Sequence, residues 1–319
     1  MKATIADRRI SAHVRETPLR HSLRLSASTG ANVFLKLENL QETGSFKLRG
    51  AANKLLLLTR DQAARGVIAA SNGNHALAVA TIGRKLGIPV EVFVSEHVDP
   101  VRRDRIEALQ AIVQTVKGDS LLAEQTARRT AELSGRAYVS PYNDRDVIAG
   151  QGTIAVEILR QLAQAGSSGL DAVFVAVGGG GLIGGLGMHL KSVSPATRIV
   201  GCWPENSPVL HECLRAGEII DVPEKPTLSV STTGGMEAEA VTLGIARQVI
   251  DRKVLVTEAE ILAASRRIYR EDDQLVEGAA AVAVAAFLRS ADDYAGKTVV
   301  IVICGGNADP GLKARIKEP

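Results

Sequence analysis

The chain has 319 residues, 45% apolar and 23% charged, with a formal net charge of +3. That composition excludes a disordered polypeptide, and without a block of Lys or Arg it lends no support to a nucleic-acid or membrane-surface role. Three widely spaced cysteines (Cys202, Cys213 and Cys304) argue against a disulfide framework, and no apolar signal core or bilayer-length apolar run is present, so a cytoplasmic protein is expected.

In chain order, residues 4–28 read as a short helix, an extended Thr17-Pro-Leu turn and polar connections. Residues 32–36 alternate as a strand, with Glu38 and Asn39 at its end. The stretch Glu42-Thr-Gly-Ser-Phe-Lys-Leu-Arg-Gly50 then opens a helix. Thr43, Gly44 and Ser45 are turn and N-cap residues. Phe46, Leu48, Ala51, Ala52, Leu55 and Leu56 fall near helical spacing. Lys47 is thereby placed in a first turn, where the helix dipole and burial both disfavour its charged form. A neutral amine is what a Schiff-base lysine needs, whereas an isolated lysine more commonly snorkels to the surface.

From Gly66 to Tyr138 strands and helices alternate: apolar 67–70, helix 74–86, apolar 90–94, helix 100–109, apolar 111–113, helix 120–133 and strand 137–140. Short turns between them imply right-handed crossovers and a parallel four-stranded sheet. The basic run Arg102-Arg103-Asp104-Arg105 reads as a solvated helix face. A helix is expected over about 149–165. A fully apolar strand over 172–177, suited to burial on both faces, runs into Gly178-Gly-Gly-Gly181 and another helix. Later strands fall at 198–202, 254–256 and 298–303, with helices over 258–271 and 277–289. The pattern gives two α/β lobes, residues 59–144 forming a small domain between 1–58 and 145–319.

Three loops carry chemistry. Ser71-Asn-Gly-Asn-His75 follows the first small-lobe strand and opens a helix, where free N–H groups favour an anion; an ordinary capped turn is the alternative. Gly178 to Gly181 lets backbone wrap an anion without Cβ interference. The same run holds Gly179-x-Gly181-x-x-Gly184 with Glu205 beyond it, a weak dinucleotide signature. A phosphate cradle suits the four glycines better. Cys304-Gly-Gly-Asn307 ends the last long strand, where a thiol either meets a ligand ring or serves as a small buried hydrophobe.

In this order, Thr17-Pro-Leu, Lys36-Leu-Glu-Asn39, Gly44-Ser-Phe-Lys-Leu-Arg-Gly50, Ser71-Asn-Gly-Asn-His75, Ile148-Ala-Gly-Gln-Gly-Thr153, the tetraglycine loop and Cys304-Gly-Gly-Asn307 resemble the fold-type II pyridoxal-phosphate enzymes, specifically the serine/threonine dehydratase group. The resemblance implies a two-lobed α/β fold like the tryptophan synthase β chain, pyridoxal 5'-phosphate as cofactor and a homodimer. Lys47 would hold the cofactor as a Schiff base and then take the Cα proton of the amino acid. Phe46 would pack beside the ring, and Asn74 would contact the ring hydroxyl. Gly178, Gly179, Gly180, Gly181 and Leu182 would bind the phosphate, and Cys304 would face the pyridine nitrogen. Ser71, Asn72, Gly73, Asn74 and His75 would take the substrate carboxylate. The implied reaction eliminates water from a β-hydroxy-α-amino acid, leaving a 2-oxo acid and ammonia.

Departures refine that expectation. Related racemases carry a serine where this chain has Asn72, which cannot titrate usefully, so a lyase is favoured over a racemase or β-replacement enzyme. Trp203 and Val209 stand where metal-binding relatives place carboxylates, so no metal is expected there. Ser231-Thr-Thr-Gly-Gly235 and Gly278-Ala-Ala replace the usual segments. With Asn72 and Trp203-Pro-Glu-Asn-Ser207 they look like the branch of hydroxyectoine-utilisation and phenylserine dehydratases. With only a short stretch after Asn307, the allosteric domain of biosynthetic threonine deaminases is not expected. A nucleotide-binding oxidoreductase is the alternative of another class, and it has no use for the Lys47 stretch.

Overall fold

The computed structural model describes residues 2–167 and 169–318. Among the described residues ten strands build two sheets: β1 (Leu19–His21), β2 (Asn32–Leu37), β3 (Val67–Ala70), β4 (Val90–Ser95), β5 (Ile112–Val116), β6 (Ala137–Val139), β7 (Ala172–Ala176), β8 (Arg198–Pro204), β9 (Arg252–Val256) and β10 (Thr298–Ile303). The larger sheet has the order β1-β2-β10-β7-β8-β9, parallel apart from β1, and the smaller, wholly parallel one β5-β4-β3-β6. Every residue of β7 is buried, as its unbroken apolar run requires. The Ala-rich helix Gly278–Arg289 is buried almost all round, with small side chains that let it lie close against the larger sheet. Among the described residues no helix is long and apolar enough to cross a membrane.

Strand order positions the cleft. The succession of strands reverses between β7 and β10, which are neighbours in space but distant in sequence, so their following loops diverge and leave a crevice at their carboxyl ends. The helix Lys47–Leu55 buries Leu48, Ala51, Ala52 and Leu55 in the apolar cluster under the smaller sheet. It packs against the helices Asn74–Leu86 and Arg145–Gln151.

Three expectations need correction. The single helix over 149–165 is two, Arg145–Gln151 and Thr153–Gln164, meeting at Gly152. A Cβ on Gly152 would stand 2.7 Å from the Gly185 carbonyl oxygen, so the junction lies against the helix Gly181–Val193. The edge strand β5 runs to Val116, because pairing with β4 continues through Gln114 and Thr115 where only one side of the ladder is required. The segments Leu23–Thr29, Arg60–Arg65, Val209–Ala216, Val241–Val249 and Pro310–Lys317, read as connections or left unassigned, are helices. Ser22, Thr59 and Asp309 cap three of them, in the pattern such caps prescribe.

Candidate active site

The end of β10 is stitched onto the loop before Lys47. Phe46 N–H donates to the Cys304 carbonyl at 3.1 Å, Gly306 N–H to Gly44 O at 2.9 Å, and Ser45 pairs with Gly305 as an isolated bridge. Gly44 turns at φ +75°, and a Cβ there would strike the Asn307 side chain at 2.8 Å. Ser45, expected to cap the helix, is drawn into that bridge instead, and Phe46 takes the N-cap position without a side-chain bond. Lys47 follows as the first helical residue. Its Nζ donates to Pro141 O at 2.8 Å and lies 5.2 Å from the Phe46 ring centroid. Burial lowers its pKa to about 8, an effect partly offset by Glu124, Cys304 and Glu277.

Across the cleft, β7 runs into the four glycines. From Gly178 to Ile183 no backbone N–H has an acceptor among the described residues, and all six residues line the cleft. They open the helix Gly181–Val193, so orphan donors and helix dipole point at one place. Packing requires the glycines. A Cβ on Gly179 would sit 2.4 Å from Tyr142 Cγ, one on Gly178 would sit 3.0 Å from Thr232 Cα, and Gly180 holds φ +85°. Gly179→Ala is therefore expected to cost about 1–3 kcal/mol in overpacking, as read by urea unfolding. An unchanged unfolding midpoint would show that the loop does not need this backbone path.

The loop after β3 offers a second set of donors. The N–H groups of Asn72, Asn74, His75 and Ala76 have no acceptor among the described residues, whereas Gly73 N–H is held by Ser71 Oγ at 3.1 Å. Asn72 is pinned to the smaller sheet: its Nδ2 donates to Ser95 Oγ at 2.7 Å and its Oδ1 accepts from Ser95 N–H at 2.8 Å. His75 turns its ring away, with Nε2 donating to Val139 O at 2.8 Å, and burial beside Lys47 lowers its pKa to about 3. The imidazole is neutral and structural, and the residue's backbone N–H is left free at the loop. Asn74 lines the cleft with its amide engaged, Nδ2 donating to both oxygens of Glu277 at 3.0 Å and Oδ1 accepting from Asn307 Nδ2 at 2.8 Å. One lone pair on Oδ1 remains. Cys304 is buried at the same floor, and burial together with Glu277 keeps its thiol protonated.

Several cleft residues escaped the sequence reading. Glu277 and Glu124 are carboxyls at the cleft wall, and burial raises both, Glu124 to about 8. Tyr142 supports the glycine loop, and its hydroxyl accepts from Glu237 N–H at 2.9 Å. Nothing local marks these positions, which fall in helices or connections whose approach is tertiary. Beneath Lys47 lies a buried ion cluster. Arg49 Nε donates to Glu38 Oε2 at 2.8 Å, Nη1 to Glu157 Oε1 at 2.6 Å, and Nη2 to Glu38 Oε1 and Glu157 Oε2 at 2.9 and 2.8 Å. Lys36 joins Glu157 from β2. An arginine two residues after a candidate lysine, with a Lys-x-Glu strand just upstream, was the available signal.

Comparison with known proteins fits this geometry. The family described as pyridoxal-phosphate dependent enzyme matches residues 10–305. The L-threonine ammonia-lyase of Thermotoga maritima is 39% identical over 98% of this chain and 76% of its own. The beta-hydroxyaspartate dehydratase of Paracoccus denitrificans is 34% identical over 95% of this chain and 94% of its own. Among solved structures, the processed form of threonine deaminase isoform 2 from Solanum lycopersicum superposes with a TM-score of 0.90 at 30% identity, covering 99% of this chain and 92% of that one. An amine held at lowered pKa opposite a cradle of unpaired N–H groups is the donor set that an aldehyde bearing a phosphate requires, and the chain belongs to the family of pyridoxal-phosphate dependent enzymes.

Proposed function

We propose that this protein is a pyridoxal-phosphate dependent dehydratase that converts a β-hydroxy-α-amino acid to a 2-oxo acid and ammonia. The observation that carries the reading is the Lys47 amine on the cleft floor, facing the unpaired N–H groups of residues 178–183, with a second donor set at residues 72–76. Bound there, the cofactor supplies an electrophilic carbon for the amino group and an electron sink for the charge that develops at Cα.

Each residue then has a task. Lys47 would hold the cofactor through Nζ, and the same amine is placed to take the Cα proton of the substrate. The glycine loop and Leu182 would hold the phosphate through backbone N–H groups, and Phe46 would pack beside the ring. Asn74 would accept from the ring hydroxyl through the free lone pair on Oδ1. The protonated Cys304 thiol would face the ring nitrogen and keep its proton there. Ser71 shapes the loop, and the N–H groups of Asn72, Asn74 and His75 orient the substrate carboxylate, with Gly73 allowing close approach. Asn72 places no titratable group on the second face of Cα, which disfavours racemisation. Release of ammonia and 2-oxo acid from L-serine, L-threonine, phenylserine and 3-hydroxyaspartate tests the reading. Inversion at Cα without ammonia would replace it.

The lowered pKa has a further consequence. Only the neutral amine attacks a carbonyl, so cofactor uptake by the free protein is expected to quicken as pH rises through about 8 and to level off above it. A surface lysine would still be gaining near its ordinary value of 10.5. Stopped-flow absorbance between pH 6.5 and 10 distinguishes the two.

We extend the reading to a cytoplasmic homodimer. Three buried free thiols support a reducing compartment, and the resemblance to dehydratases supports the dimer, which light scattering tests. Residues 59–144, which carry the smaller sheet and the substrate loop, are assigned as one domain, and residues 1–58 with 145–319 as the cofactor domain.

A further inference from the structure

Arg102 belongs to the basic run expected to form a solvated helix face, but it lines the cleft. It lies in the first turn of the helix Pro100–Glu107, capped by Asp99. Its neighbour Arg103 is satisfied by Glu107 at 2.9 Å and by Thr115 Oγ1 at 3.3 Å. Arg102 Nη1 stands 3.5 Å from the point a Cβ on Gly73 would occupy, so its guanidinium overlooks the substrate loop. Among the described residues that guanidinium has no hydrogen bond or ion pair; only its backbone N–H is engaged, by Asp99. Lys47 is the other cationic side chain of the cleft among those residues, and the proposed chemistry uses it.

The positive charge of Arg102 acts on the nearby Glu277 carboxyl and favours its ionised form, but the two make no ion pair. Glu277 is bonded through both oxygens to Asn74, and Glu124 is held largely in its neutral form by burial, with Oε2 unpartnered. The substrate α-carboxylate already has four free N–H donors at residues 72–76. A free planar guanidinium beside that loop remains for a second anion, and its fork matches a carboxylate.

We propose that Arg102 selects a substrate carrying a second carboxylate on Cβ, a 3-hydroxyaspartate, over the methyl-bearing threonine. This rests on the dehydratase reading and narrows its substrate class. The relative from Paracoccus denitrificans bears the name of such a dehydratase. The balance is that of the parent reaction: the β-hydroxyl leaves as water, hydrolysis consumes one water, and 2-oxobutanedioate and ammonia result.

The test compares wild-type holoenzyme with Arg102→Met and Arg102→Lys. Ammonia release is measured from 3-hydroxyaspartate, L-threonine and L-serine, and calorimetry measures binding of succinate and butyrate, which have no amine to react. Wild type is expected to favour 3-hydroxyaspartate in kcat/KM and succinate in binding. Arg102→Met should lower the 3-hydroxyaspartate-to-threonine ratio by about 10- to 100-fold and erase the preference for succinate, with Arg102→Lys in between. Equal losses on all three substrates would place the guanidinium on the α-carboxylate and overturn the proposal. An unchanged ratio, or a wild type indifferent between succinate and butyrate, would also overturn it. Should none of the hydroxy amino acids release ammonia, the dehydratase reading fails, and the succinate comparison still decides the role of Arg102.

Discussion

Lys47→Ala is expected to lower ammonia release by at least about 10³-fold, while the protein stays folded. In the proposed function one atom has two tasks, joining the cofactor and moving the Cα proton, and no other amine among the described residues lines the cleft, so the loss is expected to be large. The fold should tolerate the change within about 1 kcal/mol. Nζ makes a single hydrogen bond, to Pro141 O, and its burial without a direct carboxylate partner is itself unfavourable. Removing the ammonium relieves that cost while leaving one carbonyl without its donor, and the two effects oppose each other. Two readouts separate chemistry from folding. Ammonia release should vanish with the circular-dichroism melt unchanged, and borohydride should fix pyridoxal phosphate covalently to wild type but not to the variant. Turnover within tenfold of wild type would remove Lys47 from the mechanism.

Arg49→Met is expected to produce the largest loss of stability, about 3–5 kcal/mol. Arg49, Lys36 and Glu38 are fully buried and Glu157 nearly so, and Arg49 makes six side-chain hydrogen bonds to Glu38, Glu157, Thr153 and Thr17. Methionine fills most of the volume but leaves Glu38 without a cationic partner and Glu157 with Lys36 alone. Arg49→Lys restores the charge without the fork that grips two carboxylates, so it should recover only part of the loss. Urea unfolding measures both variants; a cost below about 1 kcal/mol for Arg49→Met would show that the cluster is not needed for folding. The cluster also makes stability depend on pH. Burial alone would raise the Glu157 pKa, but the Arg49 and Lys36 charges prevail and hold it below the ordinary 4.5. A depressed carboxylate contributes stability above its unfolded value and loses it as pH falls through the folded one. Acid unfolding is therefore expected below about pH 4.5, and Arg49→Met should shift its onset upward.

The same cluster shows where local sequence stops being informative. Lys36-Leu-Glu-Asn39 and Lys47-Leu-Arg49 were legible as motifs, but Glu157, the acid that ties them together, lies 108 residues beyond Arg49 on a helix expected with different bounds. Burial of four charges is cheap only when they meet, and nothing within a window of several residues announces a meeting. Arg102 makes the converse point. Its run reads as a solvated face because charge patterning measures composition, whereas the direction of one side chain is set by the helix on which the small-sheet loop leans. Ser45 looks like a cap until β10 arrives and claims it as a strand partner.

What the chain determines by itself is the set of local choices. These are the alternation of strand and helix from β3 to β6, the wholly apolar β7, the glycines that free its following backbone, and a lysine at a helix start. Each follows from periodicity, β-branching or the absence of a Cβ, which act over a few residues and do not depend on the remainder of the molecule. Tertiary structure alone decides that β10 inserts between β2 and β7, carrying Cys304 to the Lys47 turn, and that Glu124 and Glu277 are buried beside the amine. It also leaves one guanidinium free at the cleft. Those outcomes depend on desolvation and on groups brought together from distant parts of the chain, and a carboxyl or an amine takes its working pKa from such neighbours.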